Sequence, residues 1–217
     1  MHSKYFSPVN IFKEAWPFLF SNFFLLISIT LVYVCCPAVI NILESIISRH
    51  LPDLASGILS IALRALSFLV KLILDLGIVK ICLNIIDRKP VEFKDIIVSF
   101  ELVITYIYAS FIFYLIVLGG TLLLIIPGIV WAIKYSFYPF VILDKHSGAF
   151  EAIKASGELT DGVKWQLLGF FLLSLLLTLL GLICLLAGVL VVFPFIILAQ
   201  ALIYRKLDRQ TYSRLSK

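Results

Sequence analysis

The chain has 217 residues, of which 62% are hydrophobic and 14% charged, whereas soluble domains hold about 45–50% apolar and about 25% charged residues. With a mean hydropathy of +1.09, it is too apolar for a water-soluble globule or a disordered chain. The expected class is a single all-α integral membrane domain, 1–217, and its net charge of +5 favours contact with anionic lipid.

A helix needs about 20 residues to cross the hydrocarbon core, and six apolar runs qualify. Lys4 and Lys13 precede the first, at 18–42. Glu14 interrupts its approach and no small-x-small cleavage site closes it, so it is expected to stay as an anchor rather than leave as a signal peptide. The second run, 56–82, is broken by charges. The third and fourth lie within 102–143, which as one helix would extend about 63 Å and must therefore fold back. Pro127-Gly128 is the expected turn, with Gly119-Gly120 the competitor. The fifth and sixth lie within 165–204 and fold back by the same argument, at Gly181 or alternatively Gly188.

Thirteen of the eighteen Lys and Arg residues fall before span one, after span two, after span four, or in the tail 205–217, and only Arg49 falls on the opposite side. The positive-inside rule then predicts six spans with both termini cytoplasmic. Segments 10–20, 91–101 and 149–159 each precede a hairpin and mix apolar with charged residues at helical spacing. They predict three in-plane amphipathic helices, the last turning Phe150 and Ile153 toward its apolar side.

Span two carries the unusual charges. At about 100° per residue, Ser60, Arg64, Ser67, Lys71 and Asp75 share an arc of about 80°, while Lys80 falls on the other face. Ionisable groups inside a membrane are costly and normally face a partner. Asp75 and Lys134 both lie about 15 Å from the cytoplasmic boundary, so Asp75 is expected to face the bundle and pair with Lys134, Lys71 or both. Arg64, Lys71 and Lys134 against Asp75 leave a positive excess, which suits an anion if the stripe lines a cavity.

Cys35, Cys36, Cys82 and Cys184 sit in apolar runs without Cys-x-x-Cys spacing, far in sequence from His2, His50 and His146. They read as small hydrophobes, and no metal or cofactor is expected. Paired carboxylates, a Ser-His-Asp arrangement, HExxH and a Walker loop are all missing from the sequence, so it does not read as an enzyme. The basic tail is too short and weakly patterned to predict nucleic-acid binding.

Segment 126–169 reads as an apolar run, Pro-Gly, an apolar span with a basic and an aromatic residue, an acidic residue, then Ala-x-x-x-Ser-x-x-Leu-Thr-x-Gly-x-x-Trp. The positions are Pro127, Gly128, Lys134, Tyr135, Asp144, Ala152, Ser156, Leu159, Thr160, Gly162 and Trp165. This resembles a signature of a bacterial polytopic membrane-protein family without an agreed activity, itself similar to the membrane domain fused to some glycerophosphodiester phosphodiesterases. The resemblance covers about a fifth of the chain by motif and implies a membrane layout; the phosphodiesterase chemistry belongs to a separate soluble domain. Gly157 departs from the pattern, which usually has a bulky aromatic there. The residues themselves predict that Thr160-Asp161-Gly162 ends one helix and starts the next, with Trp165 at headgroup level.

The expected function is a non-enzymatic membrane protein of scaffold or envelope-maintenance type, with membrane lipids and another membrane protein as partners. The alternative is a transporter or lipid-handling protein for an anionic solute or phospholipid head group, using the stripe of span two.

Overall fold

The apolar runs fold as helices. A computed structural model describes residues 6–49, 53–183 and 185–215, with side chains described for 6–49, 55–183 and 188–211; Cys184, His2 and His50 lie outside these. All regular structure among the described residues is helical. Five segments are long and apolar enough to cross a membrane, namely Phe23–Ser48, Phe100–Leu123, Ile125–Lys145, Lys164–Ile183 and Gly188–Thr211. This is the make-up of a membrane protein.

Helix α1 (Pro8–Ser21) starts on Pro8, whose fixed φ suits a first helical position and whose missing N–H costs nothing there. Ile11, Phe12, Ala15 and Leu19 form its buried stripe. The stripe rests on α8 (Lys164–Ile183) and α9 (Leu185–Leu215). The Phe12 ring stacks on Phe170 at 5.1 Å. Asn22, at φ −122° and ψ 25°, breaks the chain before α2 (Phe23–Ser48). Its side-chain amide donates to the Phe18 carbonyl at 3.1 Å.

α2 and α3 (Asp53–Ile86) form a hairpin. Its inner part is packed, through Leu26, Ile29, Leu76 and Ile81, while Val39, Ile42, Ile46, Ile58 and Ile61 are exposed. The core is densest where α3, α6 (Tyr138–Lys145), α7 (Ala149–Leu159) and α9 meet, around Leu76, Phe140, Val141, Ile153, Leu198 and Ile203.

Of the three amphipathic helices, the first and third form as α1 and α7. The second does not. Within 91–101 the chain makes only a 3-10 turn, Phe93–Ile96, before α4 (Phe100–Leu123) begins. Two contacts tie this segment to α3. A Cβ on Gly77 would lie 2.9 Å from the Ile96 carbonyl carbon, so only glycine admits that approach, and Asp95 reaches Lys80 at 3.8 Å. In α7, Ile153 is buried and Phe150 is exposed, so the two residues expected to share a side face different surroundings.

Both tight turns also differ from expectation. The break between α4 and α5 (Ile125–Tyr135) is Leu124, extended at φ −164° and ψ 145°, and neither Pro127-Gly128 nor Gly119-Gly120. Pro127 lies in the first turn of α5, where a proline removes no helical hydrogen bond. The glycines instead let the helices touch, since a Cβ on Gly120 would lie 3.0 Å from the Gly128 Cα. The α8–α9 connection repeats this arrangement. Gly181 and Gly188 are both helical and face one another, with a Cβ on Gly188 falling against the Gly181 backbone.

Candidate functional site

The fourth hydrophobic run is two helices. α5 stops at Tyr135 and α6 starts at Tyr138, so backbone groups at the break need partners inside an apolar bundle. α7 supplies them. Ser156 Oγ donates to the Lys134 carbonyl at 3.2 Å and accepts from the Phe137 N–H at 3.1 Å. Thr160 Oγ1 donates to the same carbonyl at 2.9 Å. A Cβ on Gly157 would lie 3.0 Å from the Tyr135 ring, so the glycine makes room for Tyr135. Ala152 and Leu159 are buried beside these groups. Gly162 takes φ +84°, a left-handed turn that suits glycine, and leads into α8, where Trp165 is exposed. Ser156→Ala removes two buried hydrogen bonds, so a loss of about 2 kcal/mol is expected, read as a lower thermal midpoint of the purified protein in detergent.

Beyond the break, α6 carries Asp144 to the charged end of the bundle. Arg205 on α9 bridges two helix ends there, meeting Asp87 at 2.6 Å and Asp144 at 2.8 Å. The Tyr204 hydroxyl donates to Asp144 at 2.8 Å, and its ring stacks on Phe140 at 5.6 Å. Asp87 follows the end of α3, and Asp144 lies in the last turn of α6. The guanidinium therefore meets two carboxylates and the negative ends of two helix dipoles. Lys145 pairs with Asp208, and Lys206 with Glu14 of α1. A cavity of about 340 Å³ opens beside Arg205, with Lys80, Asn84, Ser99 and His146 on its walls.

The stripe of span two does not act as one surface. Arg64 is exposed and pairs with Glu44 of α2 at 3.0 Å, an acid that the sequence tally of buried charge left out. Ser60 is half-buried, Ser67 buried and Lys71 exposed. Asp75 lies near the Tyr33 hydroxyl and in the field of Lys71. It faces the bundle, within electrostatic reach of Tyr106 and Tyr138. Tyr138 and Ser110 share a hydrogen bond of 2.9 Å. Lys134 is not among the groups acting on Asp75. Its ammonium lies over the Tyr135 ring at 5.4 Å. The reason is packing, since α5 lies against α4, α7 and α8, whereas α3 lies against α2, α4, α6 and α9.

Sequence reasoning missed Arg205, Tyr204 and Asp87, because Arg205 counts there as the first residue of a basic tail facing lipid headgroups. The available signal was the apolar run through Ile203 that continues without a break into Tyr204-Arg205, which places the arginine on the last turn of a span. It missed Tyr33, Tyr106 and Ser110 because a lone hydroxyl within an apolar run gives no periodic signal. Compared with protein-family models, curated proteins and solved structures, the chain matches none.

Proposed function

We propose that the chain is a six-span, non-enzymatic membrane protein of scaffold or envelope-maintenance type, with both termini on the cytoplasmic face of a bacterial inner membrane. The observation that carries this reading is that charges at the charged end tie helices to one another. Arg205 joins α9 to α6 and to the exit of α3, Lys206 joins α9 to α1, and Lys145 joins α6 to α9. A site that grips a charged solute leaves charges free for it, and these are engaged in the fold. α3, with 34 residues, serves as the sixth span. Exposed Trp16, Phe20, Phe93, Phe100 and Trp165 supply an aromatic belt near the basic side. The apolar surface left exposed along α2 and α3 suits lipid and a membrane-protein partner.

The same reading places the chain with the bacterial family that 126–169 resembles. What supports it is that Lys134, Tyr135, Ser156 and Thr160, scattered through the motif, meet at one helix break. The topology is tested with Arg49→Cys and Glu92→Cys, each in a background without native cysteines. A membrane-impermeant maleimide is expected to label them from opposite faces, and labelling of both from one face would refute six spans.

A transport or lipid-handling role is favoured by one observation, the exposure of Lys71 beside Asp75. Asp75→Asn separates the two readings. A structural role predicts reduced folded yield, by about 1–2 kcal/mol for the weakened buried interactions. A transport role predicts unchanged yield with uptake of the anionic solute lost.

A further inference from the structure

Where the end of α1 meets the exit of α3 there is a cleft of about 700 Å³, a volume typical of ligand sites. Phe18, Ile85 and Val91 form an apolar side, Arg88 and Lys89 a cationic one, with Ser21 and Asn22 between them. No carboxylate lines it among the described residues, unlike the cavity beside Arg205, which has Asp87 and Asp144 on its walls. Lys89 reaches Asp87 only at 3.7 Å. Arg88 has no ion-pair partner among the described residues.

The backbone puts Arg88 in an unusual place. α3 ends in a Schellman turn, with the Lys89 N–H donating to the Asn84 carbonyl at 2.9 Å and the Arg88 N–H to the Ile85 carbonyl at 3.1 Å. The residue after the cap in this motif is customarily glycine, because it takes a left-handed φ. Here it is Arg88 at φ 55°, a conformation that disfavours a side chain. Trp16 and Phe20, on the side of α1 away from Phe18, are exposed, as aromatic residues are at a membrane boundary.

We propose that this cleft holds the phosphodiester headgroup of an anionic phospholipid, of which phosphatidylglycerol is the simplest probe. Arg88 presents a planar fork to the phosphate oxygens and Lys89 a second cation. Phe18, Ile85 and Val91 flank the glycerol and the first methylenes. The proposal rests on reading the chain as a membrane bundle with its charged end among headgroups, and the test separates the two.

The full chain carrying Trp16→Phe, Trp131→Phe, Trp165→Phe and Phe18→Trp has a single indole, on the wall of the cleft. It is reconstituted in phosphatidylcholine vesicles containing a minor fraction of brominated phosphatidylglycerol or brominated phosphatidylcholine. Phosphatidylglycerol is expected to quench that indole more strongly, matching a local enrichment of about fivefold per engaged cation. Arg88→Gly is expected to reduce that enrichment while the thermal midpoint holds or rises, because glycine suits the left-handed position. Arg88→Gly with Lys89→Ala is expected to abolish it, and Lys154→Ala, an exposed lysine outside the cleft, to keep it. Equal quenching by both lipids, or enrichment that survives the double variant, overturns the site and leaves the bundle reading intact. Enrichment erased by inorganic phosphate assigns the cleft to the free anion and also overturns the lipid proposal. Quenching by neither lipid overturns the membrane placement itself.

Discussion

Replacing Arg205 with alanine is expected to destabilise the protein by about 3 kcal/mol, the lower end of what breaking a buried ion pair costs. The lower end applies because Arg205 and its two carboxylates keep 16–21% of their side-chain surface exposed. The loss comes from what stays behind. Asp87 and Asp144 would face each other at the ends of α3 and α6 without their shared cation. Asp87 keeps only Lys89 at 3.7 Å, and Asp144 keeps the Tyr204 hydroxyl. Arg205→Lys is expected to recover only part of the loss, since one ammonium does not reproduce two guanidinium nitrogens aimed at separate carboxylates. Adding Asp87→Asn and Asp144→Asn to Arg205→Ala is expected to restore much of the thermal midpoint in detergent. If the triple variant is no more stable than the alanine variant, the junction is not what the arginine supports.

Gly188→Leu is expected to abolish the folded species, at a cost of at least about 3 kcal/mol, the upper part of the range for overpacking. The first added carbon would meet the Gly181 backbone, and backbone cannot rotate away as a flexible side chain can. α8 and α9 would have to separate near their connection. Since α9 also carries Arg205, the displacement would reach the charged end. Gly119 supplies the internal control, because nothing lies within 4 Å of a Cβ placed there. Gly119→Ala is expected to leave the monodisperse yield on size exclusion unchanged while Gly188→Leu eliminates it. Comparable loss from both would place the effect in helix chemistry rather than in the close approach.

These glycines mark the boundary of what the sequence conveys. Composition and run length give helical segments near their observed places, with the expected runs 18–42 and 56–82 appearing as α2 and α3. Turn positions fail because a glycine inside an apolar run has two meanings, a bend in the chain or a place where two helices touch. Gly120, Gly128, Gly181 and Gly188 all have the second. The expected pairing of Asp75 with Lys134 fails for a related reason, while Lys71 on its own helix does act on it. Residue count along one helix is legible, but which helix faces which is decided by packing across the bundle. The motif residues show the opposite case. Ser156 and Thr160 are four apart, so helical spacing puts both on one face, and that face closes the break at Ser136-Phe137.

If α3 is the proposed sixth span, its length has a consequence for the bilayer around it. Its 34 residues extend about 51 Å, whereas the hydrocarbon core is about 30 Å thick. Tilt alone would need about 54°, beyond the range of about 0–40° that spanning helices adopt. α4 and α8, with 24 and 20 residues, fit the core with little adjustment. α9, with 31 residues, is also longer than the core, but its later turns carry Arg205, Lys206 and Arg209, whereas the α2–α3 hairpin leaves Ile46, Ile58 and Ile61 exposed. Longer acyl chains gathered on that flank would relieve the mismatch, so the six-span reading predicts that the protein partitions toward the thicker of two coexisting bilayers.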